Sequence, residues 1–167
     1  VGEVPELIGR AFASELRERH GGAPDLTVVV GRDNRPSSPG LSEAVVRGIR
    51  AAGVHVIDVG TVPTPALYFA ALRYETVGGL QVTGSHNPPE YNGFKMVVGG
   101  RALYGPAIQR LRERIERRAF EVGSGGLERR DVLPLYKEDI VRRITLPRPV
   151  RVVADCGNGT GRLGAAD

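Results

Sequence analysis

The chain is constrained most by an alternation. Three short runs, 26–30 (Leu-Thr-Val-Val-Val), 54–59 (Val-His-Val-Ile-Asp-Val) and 77–83, are rich in β-branched or apolar residues. Stretches with apolar residues at helical spacing separate them. Runs that are apolar at nearly every position suit strands buried on both faces, not strands with one face in water. Between and around them, residues 5–19 place Ile8, Ala11, Phe12 and Leu16 on one helical stripe. Residues 38–53 do the same with Leu41, Val45, Ile49 and Ala52, and Gly53 is placed to stop the helix. Thr64-Pro65 reads as an N-cap and first-turn pair opening a helix through about Arg73. Ile108, Leu111, Ile115 and Ala119 mark a helix over 105–119, and 135–144 is a further helical stretch. Strand, helix, strand, helix, strand implies right-handed crossovers and a mostly parallel sheet with helices on both faces. Phe94–Val98 and Ala102–Tyr104 flank Gly99-Gly100 as a hairpin, adding an antiparallel edge. The expected fold class is therefore α/β with a mixed, mostly parallel sheet.

Two later segments break the pattern. Gly123-Ser124-Gly125-Gly126 makes 121–131 read as an exposed loop. Thr145-Leu146-Pro147-Arg148-Pro149 reads as a linker, since two prolines disfavour helix and have no strand donor. Residues 1–147 are thus expected to form one α/β domain. Residues 148–167 begin a second with a strand over Val150–Ala154 and are too few to bury a core alone.

Composition removes several function classes. One cysteine, Cys156, excludes an internal disulfide framework and points to a reducing, cytoplasmic setting. No apolar run approaches the ~20 residues of a membrane span. Net charge is +4, and Lys occurs only at Lys95 and Lys137, so 21 of the 23 basic residues are Arg. Those arginines are interleaved with glutamates along helical stretches, as at 112–118, and no aromatic ladder accompanies them. They read as ion-paired helix faces, not as a nucleic-acid surface.

The densest chemistry lies between Thr83 and Lys95: Thr-Gly-Ser-His-Asn-Pro-Pro-Glu-Tyr-Asn-Gly-Phe-Lys. It follows a buried strand, and ligands of open α/β sheets bind beyond the carboxyl ends of strands. Gly84 permits close backbone approach. Ser85 offers a hydroxyl, His86 a group titrating near neutrality, and Lys95 a compact cation. The Gly-x-Ser-x-Gly elbow of serine hydrolases is absent, because Gly84 directly precedes Ser85 and Asn87 stands where the second glycine belongs. On a strand-like backbone Ser85 and His86 point to opposite sides, which makes His86 a poor base for that hydroxyl. A hydroxyl near a lysine with no obvious base fits a phosphate carrier better. Arg32-Asp33 reads either as a ligand contact or as an ion pair bracing its loop, and Arg35 is left open between the same two roles. Gly159-Thr160-Gly161-Arg162-Leu163-Gly164 fits a dinucleotide fingerprint, which keeps a dinucleotide-binding or non-catalytic α/β domain as the alternative reading. His20, His55 and Cys156 read as structural.

These residues resemble the α-D-phosphohexomutases, in the phosphomannomutase/phosphoglucomutase branch. Thr83–Pro88 followed by Tyr91–Lys95 looks like that family's active-site serine loop. Gly31–Arg35 with Ser37-Ser38, Val59–Pro65, and Asp155–Gly159 resemble further family segments in the same order. The resemblance implies that Ser85 is a phosphoserine exchanging its phosphoryl group with a hexose phosphate through a bisphosphorylated sugar such as glucose 1,6-bisphosphate. It implies that one phosphoryl oxygen on Ser85 ligates Mg²⁺. His86 and Lys95 would line the sugar-phosphate site and assist proton transfer, while Thr83, Gly84, Asn87, Arg32 and Arg35 shape the loop or touch substrate. The family's early Asp-Ile-Arg-Gly segment and its Asp-Gly-Asp-type metal loop have no counterpart here. The chain is therefore expected to be the N-terminal part of a larger, cytoplasmic enzyme, partnered by a phosphosugar and by further domains of its own polypeptide, not by nucleic acid or membrane.

Overall fold

A computed structural model of the chain describes residues 3–165. The elements run α1 (Glu3–Arg19), β1 (Thr27–Arg32), α2 (Ser38–Ala51), β2 (His55–Thr61), α3 (Thr64–Arg73), β3 (Gly78–Val82), β4 (Phe94–Val98), β5 (Arg101–Ala102), α4 (Pro106–Glu116), β6 (Leu127–Arg129), α5 (Leu133–Arg143) and α6 (Arg162–Ala165). One six-stranded sheet has the order β5-β4-β3-β1-β2-β6. The β1–β2, β1–β3 and β2–β6 pairs are parallel, and β3–β4 and β4–β5 are antiparallel. The mixed, mostly parallel α/β sheet is as expected.

The period-two pleat distributes the central strands between two cores. Val28 and Val30 of β1 join Phe12 and Leu16 of α1, Val45 and Ile49 of α2, and Leu111 of α4. Val29 faces the other way, onto Leu67 and Ala70 of α3 and Val132 before α5. A strand covered on both sides must be apolar at successive positions, which is why the Val-Val-Val run is a central strand. Burying a side chain of this kind contributes roughly 1.5–3 kcal/mol, so the two cores dominate the favourable side of the balance. The α1–α2 crossing is close: a Cβ on Gly48 would lie 2.0 Å from the Glu6 carbonyl oxygen, and one on Gly9 would lie 2.3 Å from that of Val45. The arginine-rich α4 is tied to α1 through Arg114, which pairs with Glu18 and reaches Glu15 at 3.6 Å.

Three expectations shift. Helix α3 begins at Thr64, with Pro63 in the capping position and no side-chain capping bond. An extended Pro63 already sets the entry. Residues 127–129, expected within an exposed loop, form β6 beside β2. All three are exposed, so no apolar alternation advertises the strand. The glycine run before it permits backbone contact, since a Cβ on Gly125 would sit 1.9 Å from the Val54 carbonyl oxygen. Finally, Val150–Ala154 forms no strand. Val152 and Val153 are 75% and 100% exposed, and no described strand pairs with the segment; a strand exists only through its neighbour's hydrogen bonds. Residues 1, 2, 166 and 167 of the two expected domain spans lie outside the described residues.

Candidate functional site

Strands β1 and β3 are hydrogen-bonded neighbours, so their carboxyl ends deliver two loops side by side: 33–37 after β1 and 83–93 after β3. The second loop leaves from Thr83 and returns at Gly93, where the Thr83 amide donates to the Gly93 carbonyl at 2.9 Å. Its floor is buried at Thr83 and Gly84, and Ser85 and His86 are exposed above it.

Arg35 organises this loop from within. Its Nη1 donates to the carbonyls of Pro88 (2.7 Å) and Tyr91 (3.1 Å), and its Nη2 to those of Ser85 (3.1 Å) and Asn87 (2.7 Å). Its Nε donates to Asp33 Oδ2 at 3.1 Å. All five guanidinium donors are thereby engaged. Asp33 ties the same cluster to its surroundings: Oδ2 also accepts from the Gly84 amide at 3.3 Å, and Oδ1 accepts from the Arg35 amide at 3.1 Å and from the Ser38 hydroxyl. Burial disfavours the charged carboxylate, but hydrogen bonds from Ser38, Arg35, Thr83 and Gly84 more than offset it. Asp33 is therefore held below its ordinary value of 3.8. Gly84 leaves room for the guanidinium, since a Cβ there would lie 2.6 Å from Arg35 Cζ and from the Tyr91 carbonyl oxygen. Asn92 closes the back of the loop by donating to Ser37 and Ser38 Oγ, both at 2.9 Å.

Ser85 has φ +56°, a left-handed backbone that residues other than glycine adopt sparingly. Its amide donates to Thr83 Oγ1 at 3.0 Å. This turn corrects the expectation that Ser85 and His86 point to opposite sides. The backbone is not strand-like there, so period-two alternation does not apply, and both residues line the same cleft. That cleft, of about 520 Å³, is walled by Asp33, Asn34 and Arg35 on one side and by Asn158–Thr160 on another. Asn34 Nδ2 donates to the Asn158 carbonyl at 2.6 Å, joining the two walls.

The structure brings Thr83, Gly84, Ser85, His86, Asn87 and Arg35 together. It does not place Arg32 or Lys95 among the cleft's lining residues. Lys95 is exposed on β4 opposite Gln81. Arg32 ends β1 with the pleat parity of Val28 and Val30, toward α2, and lines a separate cleft of about 630 Å³ with Ser42, Asp58 and Arg129. Of the two roles open to Arg32-Asp33, the bracing ion pair forms instead between Asp33 and Arg35. Strand alternation sends residues 32 and 33 apart, while the turn brings 35 back onto 33. Sequence reasoning passed over Asn158–Thr160 as a wall of the site, and Asn92 as its brace. Clustered Asn residues in loops at one sheet edge were the available signal.

The dinucleotide fingerprint loses its context, because it needs a strand feeding the glycine turn. Gly159–Gly164 follows the 150–154 segment, which pairs with no described strand. His55 is structural, accepting from the Gly126 amide at Nδ1 (2.8 Å).

Comparison with known proteins agrees with this geometry. The sequence model of the family described as "Phosphoglucomutase/phosphomannomutase, alpha/beta/alpha domain I" matches residues 3–122. A phosphomannomutase/phosphoglucomutase of Pseudomonas aeruginosa is 49% identical over 157 residues, 94% of this chain and 33% of that protein. A probable phosphoglucosamine mutase of Pyrococcus abyssi is 41% identical over 168 residues, 96% of this chain and 36% of its own. The crystal structure of a phosphoglucomutase/phosphomannomutase family protein from Burkholderia thailandensis superposes with a TM-score of 0.83 at 51% identity, over 90% of this chain and 34% of that one. The chain thus spans about a third of the length of these relatives. With its β3 serine loop, mixed sheet and two-sided helical cover, it belongs to the phosphoglucomutase/phosphomannomutase family and carries that family's α/β/α domain I.

Proposed function

We propose that this chain is the serine-bearing part of an intramolecular phosphotransferase that interconverts hexose 1-phosphate and 6-phosphate, with glucose or mannose as the sugar. The observation that carries the reading is Ser85, exposed at φ +56° on a clamped loop at the carboxyl edge of the sheet, with His86 lining the same cleft. In the forward half-reaction the Oγ–P bond of phosphorylated Ser85 breaks. The phosphoryl group passes to the free sugar hydroxyl, that hydroxyl's proton leaves to a nearby base, for which His86 is the candidate, and the freed Ser85 Oγ takes up a proton to become a hydroxyl. The bisphosphorylated sugar, glucose 1,6-bisphosphate or its mannose equivalent, then presents its other end. Ser85 Oγ takes that phosphoryl group and gives up its own proton, and the sugar oxygen released from phosphorus takes up a proton to become a hydroxyl. Lys95 would neutralise phosphate charge from its place on β4, and Arg32 would act from the neighbouring cleft.

Mg²⁺ is proposed from the resemblance alone. Among the described residues no three His, Cys, Asp or Glu side chains are grouped to hold an ion. Asp33, the acidic side chain lining the cleft, directs both oxygens to Ser38, Arg35 and Gly84. These residues do not form a Mg²⁺ site by themselves; among the described residues a phosphoryl oxygen on Ser85 is the ligand proposed. The metal's remaining ligands, like the rest of the sugar site, are assigned to further domains of the same polypeptide. The same reading divides the chain at residue 147 and places the enzyme in the cytoplasm; no described helix is long and apolar enough to cross a membrane.

The test is Ser85→Ala in the longer polypeptide, assayed for glucose 1-phosphate and mannose 1-phosphate conversion. Loss of a covalent nucleophile should lower kcat by on the order of 10⁴-fold or more. Turnover near that of the parent would overturn the role, as would phosphopeptide mass spectrometry locating the phosphate elsewhere.

A further inference from the structure

Arg35 is a cation with nothing left to donate. Its side chain is 13% exposed, its Nε is held by Asp33, and its four Nη donors are spent on the carbonyls of Ser85, Asn87, Pro88 and Tyr91. A cation at the edge of a phosphate-handling cleft would ordinarily be read as a phosphate ligand. Here the donors point into the protein's own loop. We propose that Arg35 is a positioning residue: it holds the 84–91 backbone in the one conformation that presents the Ser85 hydroxyl, and it does so without touching substrate.

Three features support this. A loop that turns four carbonyls toward one point is held in that shape by a donor set that spans them. The planar guanidinium fork provides that span, and a lysine ammonium, with three donors on one nitrogen, does not. Next, the Ser85 carbonyl is one of the four, so the contact that draws the Ser85 backbone inward leaves its side chain outward at φ +56°. A left-handed serine persists where its surroundings impose it; here Thr83 Oγ1 holds the Ser85 amide and Arg35 holds the Ser85 carbonyl. Last, the fork is itself fixed. Asp33 accepts from Arg35 Nε and from the Gly84 amide on the same oxygen, so one carboxylate sets both the cation and the start of the loop. The missing Cβ at Gly84 leaves the space that the guanidinium fills.

The consequence for rate rests on the phosphoserine reading above, but the structural part does not. The test uses the longer polypeptide carrying Arg35→Lys, with hydrogen exchange and steady-state kinetics measured on the same sample. Faster exchange of the Asn87 and Tyr91 amides is expected, with unchanged exchange in β1 and β3. Displacement of a reacting group by about 1 Å can cost about 10²-fold, so kcat should fall between about 10- and 100-fold while KM for glucose 1-phosphate stays within about threefold. Asp33→Asn, which keeps the shape and removes the charge behind Nε, should move both readouts in the same direction by less, and it stands in if the lysine variant does not fold. Parental exchange over 84–91 in both variants overturns the clamp. A raised KM with parental kcat overturns it too, because that is the signature of a lost substrate contact. If the parent protein lacks mutase activity, the phosphoserine reading fails, and the exchange measurement still decides the role of Arg35.

Discussion

At the scale of single residues, the site is built on one ion pair. Exposed ion pairs contribute about 0–1 kcal/mol, because water screens them and ordering two long side chains costs entropy. Asp33–Arg35 differs in that both side chains are 13% exposed and every strong hydrogen-bonding group of the pair is occupied. Because the folded protein holds Asp33 below its ordinary 3.8, its contribution is fully present above the unfolded value and is lost as pH falls through the folded one. Stability attributable to this carboxylate should therefore be level from about pH 5 upward and decline below about pH 4. Thermal unfolding of parent and Asp33→Asn protein across that range checks the sign. The parent's advantage should shrink toward low pH, and a constant or growing gap would contradict the assignment. Sequence showed that Asp33 and Arg35 were available but not that they pair. That choice depends on the turn at residues 33–36, which lets the guanidinium pass beneath a loop 50 residues later.

At the scale of elements, the α1–α2 contact gives a clean separation of two effects. Gly48→Ala removes a helix-interior glycine, which by propensity alone should stabilise by about 1 kcal/mol. Its new Cβ would meet the Glu6 carbonyl oxygen at 2.0 Å, and overpacking of that kind typically costs about 1–3 kcal/mol. The contact should win, giving a net loss of stability in urea unfolding of the chain; a stabilised variant would show that the helices can separate freely. Periodicity located all the longer helices and the buried strands, because both patterns are written in the apolar positions. It failed at β6, whose three residues are exposed, and at 150–154. In both cases strand status is decided by what lies alongside the backbone.

At the scale of the whole molecule, the cleft has two walls and, among the described residues, no cover: Ser85 and His86 line it between residues 33–36 and the Asn158–Thr160 turn. On the phosphoserine reading, rate comes from positioning and from surrounding developing charge, which a half-enclosed serine loop does not supply alone. Residues 1–167 alone should give no measurable conversion of glucose 1-phosphate to glucose 6-phosphate, while the longer polypeptide does. A coupled assay on both proteins decides it, and robust turnover by the 167 residues would refute the division of labour.

The sequence by itself determined the α/β class, the parallel core and the position of the serine loop at a strand's end. These follow from local apolar periodicity and from residue types that only a few backbone geometries accept. The tertiary structure decided which charges meet. It paired Asp33 with Arg35 and not with Arg32, turned Ser85 and His86 into one cleft, and set Asn34 against Asn158. The reason is physical: periodicity is a property of neighbours along the chain, whereas a guanidinium's choice among carbonyls depends on which distant loops the sheet brings within hydrogen-bonding distance of it.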